Sequence, residues 1–133
     1  MASVDLKNNI KIVNSVNIAS ITTNTTTVGE QVDTKGFESV TIEVITGART
    51  DGTVTPLLQE SDVSGTYSGS VADEDLIGLE ANAALSAANG RARFGYSGKK
   101  RYVRLSLVST SVTTGLTAGA SFILGTPISA PVA

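Results

Sequence analysis

At 133 residues the chain can bury one core but not two, and its net charge of -2 gives no general attraction to polyanions. It contains no histidine and no cysteine. That excludes imidazole bases, Ser-His pairs, thiolate or imidazole metal sites, and any disulfide framework. Aromatic residues are sparse, with three Phe, three Tyr and no Trp, so the apolar fraction is carried by Val, Ile, Leu and Ala among many Thr, Ser and Gly. β-branched residues at this density favour a pleated backbone, because their restricted χ1 suits strands better than helices.

The opening residues lack the basic-then-apolar layout of a secretory signal, and no apolar run approaches the ~20 residues that span a bilayer. A soluble protein without a cleaved leader is the expectation. Residues 1–9 read as an N-terminal arm. From Ile10 to Ile21 the chain alternates, which predicts one bent strand or two. Ile10, Ile12, Val16 and Ile18 share one face, opposite Lys11, Ser15 and Asn17. The threonine run Thr22–Thr27 then reads as polar connection, and Gly29 as a turn.

Phe37–Thr46 is a clear strand, with Val40, Ile42 and Val44 in one row and Gly47 at its end. Asp51-Gly52 reads as a hairpin turn, since glycine accepts the positive φ such turns need. Thr53–Glu60 is then the return strand, with Pro56 marking an edge because it removes a ladder donor. Ser61–Asp75 has a loop composition. Leu76–Ala88 is rich in helix formers but poorly periodic, which leaves a short helix and an irregular loop both open. Asn89-Gly90 is a turn signal. Arg91–Tyr96, Arg101–Val108 and Ala118–Leu124 complete the strands, with Val103, Leu105 and Leu107 inward and Ala118, Ala120, Phe122 and Leu124 aligned. Pro127–Ala133 reads as an extended arm. The whole predicts an all-β sandwich of about eight strands in a single domain, residues 10–126, with at most one short helix.

Charge is unevenly placed. Glu30–Glu80 holds eleven acids against two bases, Arg91–Arg104 holds six bases and no acid, and the 29 residues after Arg104 hold no charged side chain. The two blocks either pair across neighbouring strands or present a polarised surface to a partner. Adjacent acids at Asp73, Glu74, Asp75 and Glu80, or Glu60 with Asp62, are the only candidates for a carboxylate pair. They sit in Gly/Ser-rich loop and lack the turn glycine and late bidentate acid of an EF-hand. The basic block interleaves aromatics as single-strand nucleic-acid binders do, but Phe94 and Tyr96 fall on the row a core needs. No Walker or dinucleotide glycine motif is present. No catalytic, cofactor-binding or metal-binding residue is therefore assigned, and the expectation is a non-enzymatic protein without cofactors.

Three stretches resemble a known group: Asp51-Gly52-Thr53 through Pro56-Leu57-Leu58-Gln59-Glu60-Ser61-Asp62, Gly95-Tyr96-Ser97-Gly98-Lys99-Lys100-Arg101-Tyr102-Val103-Arg104, and Leu124-Gly125-Thr126-Pro127 with Ala130-Pro131-Val132. In order and spacing they are similar to the capsid decoration, or cement, proteins of tailed bacteriophages, over residues 37–133. The resemblance implies a jelly-roll-like sandwich, assembled as a homodimer or homotrimer in the host bacterial cytoplasm. It would sit on the outer capsid surface and bridge major capsid protein subunits, with no nucleic-acid or membrane partner. Another virion part (tail, neck or baseplate) is the alternative, followed by a carbohydrate-binding sandwich using Tyr67, Tyr96 and Tyr102.

Overall fold

The computed structural model describes residues 3–67 and 69–131. Eight strands form two antiparallel sheets: β1 (Lys11–Ile21), β2 (Thr26–Asp33), β3 (Phe37–Arg49), β4 (Thr53–Ser61), β5 (Leu76–Ile77), β6 (Arg91–Tyr96), β7 (Tyr102–Thr110) and β8 (Leu116–Pro127). The larger sheet runs β1-β8-β3-β6-β5 and the smaller β2-β7-β4. The chain thus changes sheet at most connections, the jelly-roll pattern that the resemblance implied for the sandwich read from the strands. Among the described residues the helical content is three short 3-10 turns, at Lys7–Asn9, Asp73–Asp75 and Glu80–Ala83. The helix-forming composition of 76–88 therefore yields β5, one such turn and irregular chain, because no apolar stripe gives a helix a face to bury.

The core follows the alternation. Val40, Ile42 and Val44 of β3 lie beside Ala120, Phe122 and Leu124 of β8, and the same rows continue into Phe94 and Tyr96 of β6. The opposite sheet closes the core with Val103, Leu105 and Leu107 of β7 and Val54, Pro56 and Leu58 of β4. Ile42, Val44, Phe122, Leu105 and Leu107 are all fully buried. No side chain of the inner rows on β3, β7 and β8 departs from its predicted face.

Three expectations are corrected. First, β1 is one bent strand, but its register slips between Asn14 and Val16 and again between Val16 and Ala19. Each slip moves the following side chains to the other face. Val16 and Ile21 are buried as a result, while Ile12 and Ile18 are each 64% exposed. Second, residues 26–33 are strand β2, and Gly29 lies within it, beside a register shift between Val28 and Gln31. A Cβ on Gly29 would stand 2.5 Å from the Leu105 carbonyl oxygen and 2.6 Å from Ser15 Oγ, so glycine serves close approach here and not a turn. Third, Asp51-Gly52 does not close a hairpin. Gly52 does take a positive φ of 95°, but β3 and β4 belong to opposite sheets, and the turn carries the chain across the sandwich.

Asp51 holds that end together. Its Oδ1 accepts the backbone N–H groups of Thr113 at 3.0 Å, Thr114 at 3.1 Å and Gly115 at 2.9 Å. Those bonds to the ionised form keep its carboxyl below the ordinary aspartate range. Of the expected arms, 3–9 holds a local turn, in which the Asp5 carboxylate accepts the Asn8 backbone N–H at 3.1 Å. Pro127 is the last residue of β8, and Ile128 N–H donates to the Gly36 carbonyl at 2.9 Å. Ala2, Val132 and Ala133 of the arms, and Met1, lie outside the described residues.

Candidate interaction surfaces

The acidic loop does not assemble into a site. Among the described residues no group of three or more acidic side chains converges as a cation cage. Glu80 reaches β4, the edge strand of the smaller sheet. There its Oε1 accepts the Leu58 backbone N–H at 2.5 Å. The same edge is closed by mutual backbone bonds between Val54 and Leu85, 3.0 and 2.8 Å, and by Val71 N–H to the Leu58 carbonyl at 2.9 Å. Pro56, between them, has no N–H to leave unpaired. An open strand edge templates unwanted pairing, and here the edge-facing groups of Val54 and Leu58 are taken.

Burial pushes the Glu80 carboxyl above the usual glutamate range, more than its bond from Leu58 lowers it. A raised folded-state pKa means a contribution that is full at low pH and lost as pH rises through that value. Glu80→Gln keeps an acceptor for Leu58 without the charge. It is expected to be neutral to stabilising at pH 7, whereas Glu80→Ala, which strands a half-buried N–H, is expected to cost about 1–3 kcal/mol. Denaturant midpoints of the two variants at pH 5 and pH 8 check the pair of signs.

Glu60 and Asp62 are likewise occupied. Glu60 accepts the Tyr96 hydroxyl, joining β4 of one sheet to β6 of the other. The same hydroxyl accepts the Lys100 N–H at 3.1 Å, which folds residues 97–100 over the Tyr96 ring. Burial, followed by the bond to Glu60, pushes the Tyr96 phenol well above the ordinary tyrosine range. Asp62 pairs with Lys100 Nζ at 2.8 Å.

The split charge pattern resolves in part into pairs within the chain: among the described residues, three of the six bases of 91–104 form ion pairs with acids of 30–80. Arg101 binds Asp33 through two bonds of 2.9 and 2.8 Å, and holds that carboxyl down to about 2. Arg91 pairs with Glu43 at 2.9 Å. Arg104 donates to Gln59 and lies 4.3 Å over the centre of the Tyr67 ring. Exposed pairs of this kind are worth roughly 0–1 kcal/mol each, so their main effect is to neutralise the surface. Arg93, Lys35 and Lys99 make no ion pair among the described residues. The tyrosines are engaged too: Tyr67 is capped by Arg104 and donates to Gln31 at 2.9 Å, Tyr96 is buried, and Arg101 stacks 5.0 Å from the Tyr102 ring.

What stays open is the outer face of the larger sheet, a surface the sequence reading did not single out. The register lines up Ile12, Ile123, Thr41, Gly95 and Ile77 across all five strands. A second apolar row holds Ile18, packed over Gly119, with Ile45 beside it. Between the two runs a polar row: Asn14, Ser121, Glu43 and Arg93. Ile12, Ile18 and Ile77 are 64%, 64% and 66% exposed, so no described segment covers them. The smaller sheet differs, because the loop after β4 folds back on it through Gly65, Tyr67 and Gln31. At one end of the open face, Lys35, Phe37, Thr41, Ile77 and Lys99 line a groove of about 630 Å³.

No protein-family model matches the sequence, and no curated protein matches it. Among solved structures, the SPBc2 prophage-derived protein YomS is similar with a TM-score of 0.49 at 14% identity, over 88% of this chain and 94% of its own. A chain from infectious bursal disease virus, Gx strain, gives 0.49 at 9% identity over 86% of this chain, which spans only 32% of that longer one. A chain of the Bacillus endospore appendages, described as disulfide-linked pili, gives 0.39 at 12% identity over 96% and 98% of the two chains. Likeness at these values assigns neither family nor function, and this chain has no cysteine for a disulfide link.

Proposed function

We propose that the chain is a non-enzymatic structural protein of a tailed-phage virion. It binds the outer face of the head as a decoration protein and stabilises the shell by bridging major capsid subunits. The observation that carries this reading is a jelly roll whose larger sheet leaves its outer face open, with Ile12, Ile18 and Ile77 exposed on it. Such a molecule is built for contact: Asp51, Glu60 and Glu80 are spent on holding edges and ends, and the open sheet face carries isoleucines on either side of a polar row. The three phage-like stretches support the same reading, and they map onto β4, the β6–β7 loop and the end of β8.

A ligand that binds only the intact shell stabilises it by mass action, so the effect must grow with free protein concentration. Heads lacking this protein should rupture at a lower temperature than complete heads, and adding purified chain back should restore the difference in a saturable way. Rupture temperatures that ignore its presence at every concentration refute cementing.

A further inference from the structure

We infer that the groove between Lys35 and Lys99 takes an extended acidic segment of a partner protein, laid along the edge that β3 exposes where β6 ends. This deepens the proposed function and rests on it only for the partner's identity, a subunit of the shell. The groove exists because β6 stops short. β3 begins at Phe37, but its pairing with β6 begins only at Val40, opposite Tyr96. Beyond Tyr96 the chain is drawn off the sheet. Lys100 N–H donates to the Tyr96 hydroxyl at 3.1 Å, and Lys100 Nζ reaches Asp62, just past β4, at 2.8 Å. The space left, about 630 Å³, is lined by Phe37–Val40 and by Tyr96–Lys100.

The hydrogen-bond phase of β3 points into that space. Thr46 N–H donates to the Gly90 carbonyl at 2.9 Å, and the β3–β6 register runs unbroken from Ile45 to Val40. Even-numbered residues of β3 therefore turn their backbone groups toward β6. Glu38 is next in that series and has no β6 residue opposite it, so its N–H and C=O face the groove. An extended guest can take both bonds and continue the sheet, as strands added to an open edge do.

Charge selects the guest. Of the four bases in the lining, Lys100 and Arg101 are committed to Asp62 and Asp33, whereas Lys35 and Lys99 make no ion pair among the described residues. A second hollow shares Lys35, Gly36 and Phe37 with the first and adds Lys11, which also makes no ion pair there. Glu38 is the only acid lining either hollow. Asp33 lies near Lys35, but both its oxygens are bonded to Arg101. The trough thus sets three uncommitted lysines against one carboxylate, beside half-buried Phe37 and exposed Ile77 and Ile128. That surface complements a segment carrying both acids and apolar side chains. A nucleic-acid strand suits it less, because Tyr96 is buried and Tyr102 is covered by Arg101, which leaves bases no free tyrosine to stack on.

Titrating the isotope-labelled chain with a short capped peptide of alternating glutamate and valine, followed by NMR, tests this. Saturable shifts are expected at the amides of Glu38, Ser39 and Lys99. Their absence, or saturable shifts confined to other residues, overturns the inference. So does equal or tighter binding at these amides by the same peptide with lysine for glutamate, or by oligothymidylate. Lys35→Glu combined with Lys99→Glu is expected to weaken the acidic peptide at least about tenfold, and Glu38→Gln, which keeps the backbone groups, to tighten it. Lys35, Glu38 and Lys99 are exposed, and thermal unfolding shows that the variants are folded. Unchanged affinity in the double variant overturns the inference. Head binding separates the two claims. Heads that take the double variant as tightly as the wild type would sink the groove alone, and wild-type chain that binds the peptide but no heads would sink the proposed function alone.

Discussion

Phe122→Ala is expected to lower folding stability by about 3–5 kcal/mol, the loss typical of a large aromatic removed from a packed core. Phe122 is fully buried on β8, which lies between β1 and β3 in the larger sheet. Its in-register neighbours are Val13 and Ile42, and Phe94 continues the same row. Deleting the ring removes its transfer free energy and leaves a void that neighbours on three strands cannot all close. A domain with ordinary stability of 5–15 kcal/mol would keep only a fraction of it. Urea unfolding followed by circular dichroism reads the shift. A loss under about 1 kcal/mol would mean that the two sheets do not share this core.

Gly29→Ala tests the corrected role of that glycine. The new methyl would meet a backbone carbonyl, that of Leu105, which cannot rotate away, together with Ser15 Oγ. Over-packing of this kind costs about 1–3 kcal/mol. Gly47→Ala is the matched control. Gly47 also lies within a strand, but a Cβ there makes ordinary contact with Thr117 at 3.6 Å. It is expected to be close to neutral, or to gain a few tenths of a kcal/mol, since alanine restricts the unfolded chain. Equal effects at the two positions would show that β2 does not approach β1 and β7 as described.

The strands that could be read from sequence are those in which pleat and burial keep one phase. On β3, β7 and β8 an unbroken alternation meets an unbroken core, so Val40–Val44, Val103–Leu107 and Ala118–Leu124 were legible residue by residue. β1 was misread at Ile12 and Ile18, because a bulge changes the phase without changing the composition. β2 was missed because Thr-rich chain around a glycine looks like connection; its strand character comes from pairing with β7, 69 to 82 residues away. Asp51-Gly52 was recognised as a turn. Which sheet the chain enters after it depends on contacts that no local signal carries.

The interaction surfaces were legible only in outline. Compensating acidic and basic blocks could be seen, and they pair in part within the chain, but the partners Asp33–Arg101, Glu43–Arg91 and Asp62–Lys100 are set by register and loop path. The duty of Glu80 was invisible, since its partner is the backbone of Leu58, 22 residues earlier. The open isoleucine rows emerge only when five strands are laid side by side. Two of those isoleucines, Ile12 and Ile18, looked like core in the linear sequence.

A reconstruction of the complete virion tests the central claim most directly. The account predicts discrete density for the 13.6 kDa chain on the outside of the head, contacting more than one major capsid subunit and absent from particles made without it. Density for this chain confined to the tail or neck, or its absence from the particle, would contradict it.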